Sequence, residues 1–348
     1  LAGGSAAAED AIKIGAFFDL SGPAAFIGTP TRLVADMVVD KINKAGGVNG
    51  KPIELIIGDT EGDPAKAVNI AKKFIYKDKV VAIIGPTRTG TGMAVKKIIH
   101  SGQVPTFMTV GGDPVIMGGE KLGPFDWVFK SPQRSSVAVK RLYMYLQEKG
   151  LTKIALLTAS DGFGKDGVRW LTKLAPEFGI EVVAQEAFGP KDTDMTAQLT
   201  NAKNAGPNAL VQCHGLPDPK YIELAGKASE GDRMPATKLM VVDALPDTDP
   251  QKPVIEEFMR LYTDGYGYDK QFPINTHSGY AWDAIMMVAN AMKQAGTNAD
   301  DLRAAIEQTK GYVGVSGIYN ITPEDHNGLD VDSMEIVQVK GGKFVMAE

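Results

Sequence analysis

From Ile12 onward, short apolar runs alternate with longer stretches whose hydrophobic positions recur every three to four residues. The runs IKIGAFF (12–18), IELIIG (53–58), VVAIIG (80–85), VPTFM (104–108) and WVFK (127–130) have strand length and strand composition. Between them lie helical patterns over 28–45, 64–77 and 91–101. Alternation of this kind predicts βαβ units and a parallel sheet. After Ser131-Pro132 a helix over 134–149 opens a second series: KIALLT (153–158), a helix over 164–176, IEVVAQEAF (180–188), a helix over 195–204 and NALV (208–211). The pattern therefore predicts two doubly wound α/β lobes, with the chain first crossing between them near 131–132. Beyond Asp243 come a Pro- and Asp-rich loop and helices over 251–265, 277–295 and 299–309. The tail MEIVQVKGGKFVMA reads as a hairpin turning on Gly341-Gly342.

Length supports the division, because 348 residues exceed what one core usually fills. No stretch approaches the roughly 18 apolar residues needed to span a bilayer. The formal charge of −5 comes from intermixed acids and bases without a basic run, which leaves nucleic acid nothing to bind. Cys213 is the single cysteine, so an internal disulfide and a Cys-cluster metal site are both excluded. Residues 1–10, LAGGSAAAED, read as the remnant of a signal-peptide cleavage region or as a leader; export would leave the protein free in a periplasm, without a lipid anchor.

In open α/β sheets ligands sit at the carboxyl ends of strands, so the loops there carry the candidate chemistry. After the first strand, DLSGPAAFIG (19–28) offers the Ser21 hydroxyl and Phe26 as a pocket wall, against the alternative of an ordinary helix start. After VVAIIG, PTRTGTG (86–92) places Thr87, Arg88 and Thr89 at a helix head, which suits an anion. The same threonines could simply cap the helix. The loop does not match GxxxxGK[ST], which disfavours nucleotide hydrolysis. After VPTFM, Val110, Gly111 and Gly112 let backbone approach a ligand closely. In the second lobe Asp161 and Phe163 follow KIALLT. The four histidines show no metal spacing, and no GxSxG elbow occurs. The acids of DTEGD (59–63) read as helix-start residues rather than as a calcium loop. No enzyme, cofactor or metal is expected.

The segments NKAGGVNGKPIEL (43–55), LSGPAAFIG (20–28) and IIGPTRTGTG (83–92), with GYAWDA (279–284), VGVSGIYNITPEDHNG (313–328) and VQVKGGKFV (337–345), closely resemble the type I periplasmic binding proteins of the leucine/isoleucine/valine class. The motifs stand in the family's order and span nearly the whole chain. The resemblance implies two doubly wound parallel-sheet lobes joined by a three-crossover hinge. Residues 11–131 plus about 250–325 would form lobe 1, and 132–249 plus about 326–348 lobe 2. It implies an extracytoplasmic component of an ABC importer, partnered by a membrane permease and sufficient as a monomer, that captures a solute by cleft closure. A ligand-sensing receptor module would look the same in sequence. Thr87 to Thr89 and Val110 to Gly112 would hold a ligand carboxylate, Phe163 would cover its apolar part, and Tyr280 would lie near the cleft.

Three departures bear on the ligand. The acid that amino-acid binders use for the ammonium group falls at His214, a hydroxyl-bearing position is Gly112, and Arg134 stands where an acid is frequent. A carboxylate partner for an ammonium is worth about 1.5–3 kcal/mol, which a neutral imidazole does not replace. The expected ligand is a small carboxylate with an apolar or aromatic body, with a hydrophobic amino acid as the alternative. The family also has a further helix and strand, about 25 residues, between Val211 and Gln212; either lobe 2 is truncated there or a segment is missing, and the uncovered sheet favours the second.

Overall fold

The computed structural model describes residues 11–117, 126–189 and 192–348. The first-lobe series is β1 (Ile12–Phe18), α1 (Ala25–Lys44), β2 (Ile53–Asp59), α2 (Pro64–Lys72), β3 (Ala82–Ile84), α3 (Thr89–Gly102), β4 (Thr106–Met108) and β5 (Val128–Lys130). These strands form one parallel sheet in the order β2-β1-β3-β4-β5. Strand β1 has partners on both edges and helices on both faces, which is why IKIGAFF is a nearly unbroken apolar run. Its Ile14, Ala16 and Phe18 pack with Val34, Val38 and Trp282 on one face, and its Phe17 packs with Ala71, Phe74 and Val95 on the other. Of the acids of 59–63, Asp63 caps α2 by accepting from Ala65 N at 2.6 Å, while Asp59 accepts from Leu20 N at 2.9 Å. The leader over residues 1–10 lies outside the described residues.

The second series is α4 (Ser135–Glu148), β6 (Lys153–Ala159), α5 (Gly162–Leu174), β7 (Glu181–Phe188), α6 (Thr196–Asn204), β8 (Ala209–Val211), α7 (Pro219–Ala225) and β9 (Arg233–Thr237). The chain continues through α8 (Lys252–Arg260), α9 (Tyr280–Ala295), α10 (Ala299–Glu307), a small hairpin of β10 (Tyr312–Val313) with β11 (Ile318–Tyr319), and finally β12 (Met334–Lys340) with β13 (Lys343–Met346). The second lobe carries the parallel sheet β7-β6-β8 and, beside it, a separate antiparallel sheet β13-β12-β9. The final hairpin recruits β9, a strand whose sequence, RMPAT, carries no alternation. Strand β8 ends its sheet, with Leu210 47% exposed.

Helices α8 and α9 pack into the first-lobe core through Ile255, Phe258, Trp282 and Ile285, while Ile336 of β12 joins the second-lobe cluster of Leu142, Leu156 and Leu171. The segments that pass between the two cores are laced together. Asn327 donates to Lys130 O (3.0 Å) and Pro132 O (2.8 Å), Tyr319 donates to Ser131 O (2.7 Å), and Gln133 donates to Ser316 O (2.6 Å).

Candidate functional site

The carboxyl ends of β1, β3 and β4 meet the amino end of α5 from the other lobe. At the end of β1, Asp19 is fully buried; its carboxylate accepts from the Thr60 hydroxyl, and its N–H donates to Thr87 Oγ1 at 3.2 Å. Burial pushes the Asp19 carboxyl up, against the Thr60 hydrogen bond and the nearby Arg88. Thr87 is thus a tie within lobe 1. Neither threonine caps α3: Thr89 Oγ1 instead accepts from Gly112 N at 3.3 Å, which fastens the β4 loop to the helix start. With no side-chain cap, α3 presents an electropositive end to the cleft.

Across the cleft, Asp161 caps α5 by accepting from Phe163 N (3.1 Å) and Gly164 N (2.9 Å), and it pairs with Arg88 Nη2 at 3.4 Å. A second interlobe contact runs from Asp113 N to Asp166 Oδ2 at 2.8 Å. The lobes are therefore apposed, as in a closed cleft.

At the centre stands Gly111. A Cβ there would fall 2.6 Å from the Phe163 ring and 3.4 Å from His214 Nε2, so only glycine lets the two lobes come this close. The Phe163 and His214 rings meet edge to face, 5.1 Å between centroids. The line continues through Gly215, whose φ of +100° suits glycine, to His277, whose Nε2 lies 3.0 Å from Gly215 O and so carries the proton. The His277 ring lies 5.9 Å from that of Tyr280, and Tyr280 Oη donates to Gln133 Oε1 at 3.2 Å. Gly111, Phe163, His214, Gly215 and His277 are all partly accessible, while the residues behind them are buried.

Beneath Gly111 lies a buried ammonium. Lys130 Nζ donates to Gly111 O (2.6 Å) and Gln133 O (3.0 Å), with Asp113 Oδ1 at 3.4 Å. Burial drives the Lys130 pKa down, opposed by Asp113 and Asp166. Asp113 also accepts from Ser135 N (2.7 Å) and the Ser136 hydroxyl (3.0 Å), so one buried pair braces the loop and the start of α4. Burial, reinforced by Lys130, brings His214 down to about 3, and burial also lowers His277. Both imidazoles are neutral across the physiological range.

Of the residues expected from sequence, the fold gathers Arg88, Thr89, Gly111, Gly112, Asp161, Phe163, His214 and Tyr280 along this line. Val110 is fully buried in the core behind it. Three are placed elsewhere. Ser21 is exposed and donates to Asp59 Oδ2 at 2.7 Å. Phe26 is 58% exposed on the first turn of α1, without the opposing surface a pocket wall needs. Arg134 pairs with Asp325 and lines a recess of about 370 Å³ with Ser136, Lys140 and Asn320, at the hinge. His277, Lys130, Asp113 and Gln133 were not anticipated. Only His277 left a trace in sequence, as part of the polar lead-in NTHSG (275–279) to a long apolar helix.

Comparison with known proteins places this geometry. A family model described as periplasmic binding protein matches residues 11–219 and 221–343. The chain belongs to the periplasmic binding protein family. Periplasmic binding proteins of this family capture solutes and are not enzymes, and the family implies an extracytoplasmic location. Among its relatives, the Leu/Ile/Val-binding protein homolog 7 of Brucella suis biovar 1 is 23% identical, with 99% of this chain and 93% of the relative covered. That match runs over 382 positions, more than the 348 of this chain, so the relative has residues without a counterpart here. Among solved structures, an extracellular ligand-binding receptor from Rhodopseudomonas palustris HaA2 superposes with a TM-score of 0.85 at 22% identity, covering 97% of this chain and 99% of that one. The branched-chain amino acid transporter substrate binding protein LivJ from Streptococcus pneumoniae, in complex with isoleucine, gives 0.78 at 24% identity over 96% and 97% of the two chains. At these identities the structures establish the shared fold of two parallel-sheet lobes.

Proposed function

We propose that this periplasmic binding protein serves an ABC importer of the branched-chain-amino-acid type, and that its ligand is a small carboxylate with an apolar or aromatic body and no ammonium group. The uncapped start of α3 and the Gly111–Gly112 backbone would receive the carboxylate, Phe163 would cover the apolar body, and neutral His214 would approach from the second lobe. The transporter type draws support from the names of the relatives. A monomer handing its solute to a membrane permease suffices for this role, because the cleft is built within one chain.

One observation carries the ligand reading. Among the described residues, the acids bordering the Gly111–His277 line already have protein partners: Asp113 holds Lys130 and Ser135, Asp161 holds Phe163 N and Arg88, Asp166 holds Asp113 N and Arg169, and Asp218 holds Lys220 N and Asn275. Asp19 Oδ2 lacks a hydrogen bond, but Asp19 is sealed from solvent beside Arg88. An ammonium buried here would lack a charged partner, a cost the free carboxylate avoids. The solved neighbour that holds isoleucine favours the second reading, a hydrophobic amino acid.

A thermal-shift panel on refolded, ligand-stripped protein tests the proposal. A ligand at a hundred times its dissociation constant adds about 2.7 kcal/mol of stability. Stabilisation by aliphatic or aromatic carboxylates supports the reading, and stabilisation by leucine-like amino acids alone rejects it.

A further inference from the structure

Neither ring nitrogen of His214 has a hydrogen-bond partner among the described residues, although its Nε2 comes within 3.4 Å of where a Cβ on Gly111 would stand. Its ring is therefore held by an edge contact with Phe163 and by the backbone beneath it. That backbone is fastened to a different segment of the chain. His277 donates from Nε2 to Gly215 O, Thr276 N donates to Pro217 O at 3.0 Å, and Asn275 Nδ2 donates to Asp218 Oδ2 at 2.8 Å. The strap is itself anchored: Thr237 N donates to Thr276 Oγ1 at 3.3 Å, and four residues after Thr276, Tyr280 starts α9, which belongs to the first-lobe core.

We infer that His277 is a specificity-determining positioning residue: by donating to Gly215 O, it holds the His214 imidazole against Gly111 in the closed cleft. The inference rests on the ligand site proposed above and deepens it. Gly215 adjoins His214 directly, and its left-handed backbone would otherwise leave that loop free to choose among several conformations. An uncharged donor suits this partly buried position, because no carboxylate among the described residues contacts the ring to offset a charge. Neutral imidazole meets both demands, donating from one nitrogen and remaining uncharged. The substrate class follows: the stretch of ligand lying between Phe163 and His277 carries no positive charge, since neutral His277 offers it no counter-ion.

Two variants separate positioning from bulk. His277→Gln keeps an amide donor within reach of Gly215 O, whereas His277→Leu keeps comparable volume and removes the donor. Affinities for 4-methylpentanoate, benzoate and leucine are measured by calorimetry, and the His214 ring signals of the unliganded proteins are followed by NMR. The inference predicts that His277→Leu weakens whichever of these ligands the wild type binds by about tenfold, the scale of one lost hydrogen bond. It predicts that His277→Gln stays within about threefold, and that the His214 signals move or broaden in the Leu variant only. Wild-type affinity and unchanged His214 signals in His277→Leu would overturn it, as would a Gln variant as weak as the Leu variant. If the wild type binds leucine and neither carboxylate, the ligand proposal fails while the Leu/Gln comparison, read on leucine, still decides the role of His277.

Discussion

In the first lobe, five parallel strands end side by side in one sheet, and their loops are braced from below by the buried Lys130–Asp113 pair and by Thr87 and Thr89. In the second lobe the strands divide between two three-stranded sheets, and the loop bearing His214 leaves the outermost strand of one of them. Its support comes from the 275–277 strap, through hydrogen bonds to Gly215 O, Pro217 O and Asp218, and from a ring contact with Phe163. The contrast separates two tasks. Backbone groups that hold an anion must be fixed before it arrives, since flexible donors would lose entropy on binding. The covering side must move, and it contributes through a few side chains. Changes in the first-lobe brace should therefore damage stability and binding together, and changes in the second-lobe cover should damage binding alone.

The sharpest break is Asp113→Ala. It leaves the Lys130 ammonium, 0% exposed, without its counter-charge, and removes the acceptor for Ser135 N. Urea unfolding should show a loss of about 3–5 kcal/mol, accompanied by loss of binding. A loss under 1 kcal/mol would mean that the brace is dispensable.

Acid titration comes next. His214 has its pKa lowered by burial to about 3 from 6.5, so between these values the unfolded chain binds the extra proton and stability falls as the pH falls. Asp19 and Asp283, whose pKa values are raised, the latter to about 6, act in the opposite direction. Comparison with His214→Gln isolates the histidine: the wild type should lose about 1.5 kcal/mol relative to that variant between pH 6.5 and 5. Parallel curves would show that His214 is not desolvated.

Phe163→Ala tests the cover. Calorimetry should show ligand affinity reduced by about 1–2 kcal/mol, roughly fivefold to thirtyfold, while the unliganded protein changes by less than about 1 kcal/mol because this ring is only partly buried. Equal losses in both would erase the distinction between cover and brace. The smallest effect belongs to Arg88→Gln. The Arg88–Asp161 pair, at 3.4 Å and about one-third exposed, should contribute less than about 1 kcal/mol to closure, and less at high salt.

Much of the fold was legible because its signals are local. IKIGAFF, KIALLT and the GG hairpin became the strands they predict, since an apolar run buried on both faces differs plainly from the helices beside it. Strand β9 was not legible: Pro235 and the absence of alternation hide a strand formed by pairing with β12, a hundred residues away. The candidate site divides the same way. The α3 head, the Gly111 loop and Phe163 follow strand ends and could be read directly. The partners that determine what those residues do could not. Arg134 is drawn to Asp325, and Lys130 lies at the end of a strand that reads as core until the fold brings Gly111 over it. His277 reads in sequence as the first residue of the helix over 277–295, because its acceptor, Gly215 O, is reached only when the two segments pack.

The central claim concerns one functional group. Leucine and 4-methylpentanoate share a skeleton and a carboxylate and differ by the ammonium, so titrating each into the same ligand-stripped protein measures its contribution directly. The account predicts that 4-methylpentanoate binds at least tenfold more tightly than leucine, because among the described residues each acid along the Gly111–His277 line already has a protein partner. Tenfold tighter binding of leucine would contradict it and would require an acceptor for the ammonium that the closed cleft does not offer.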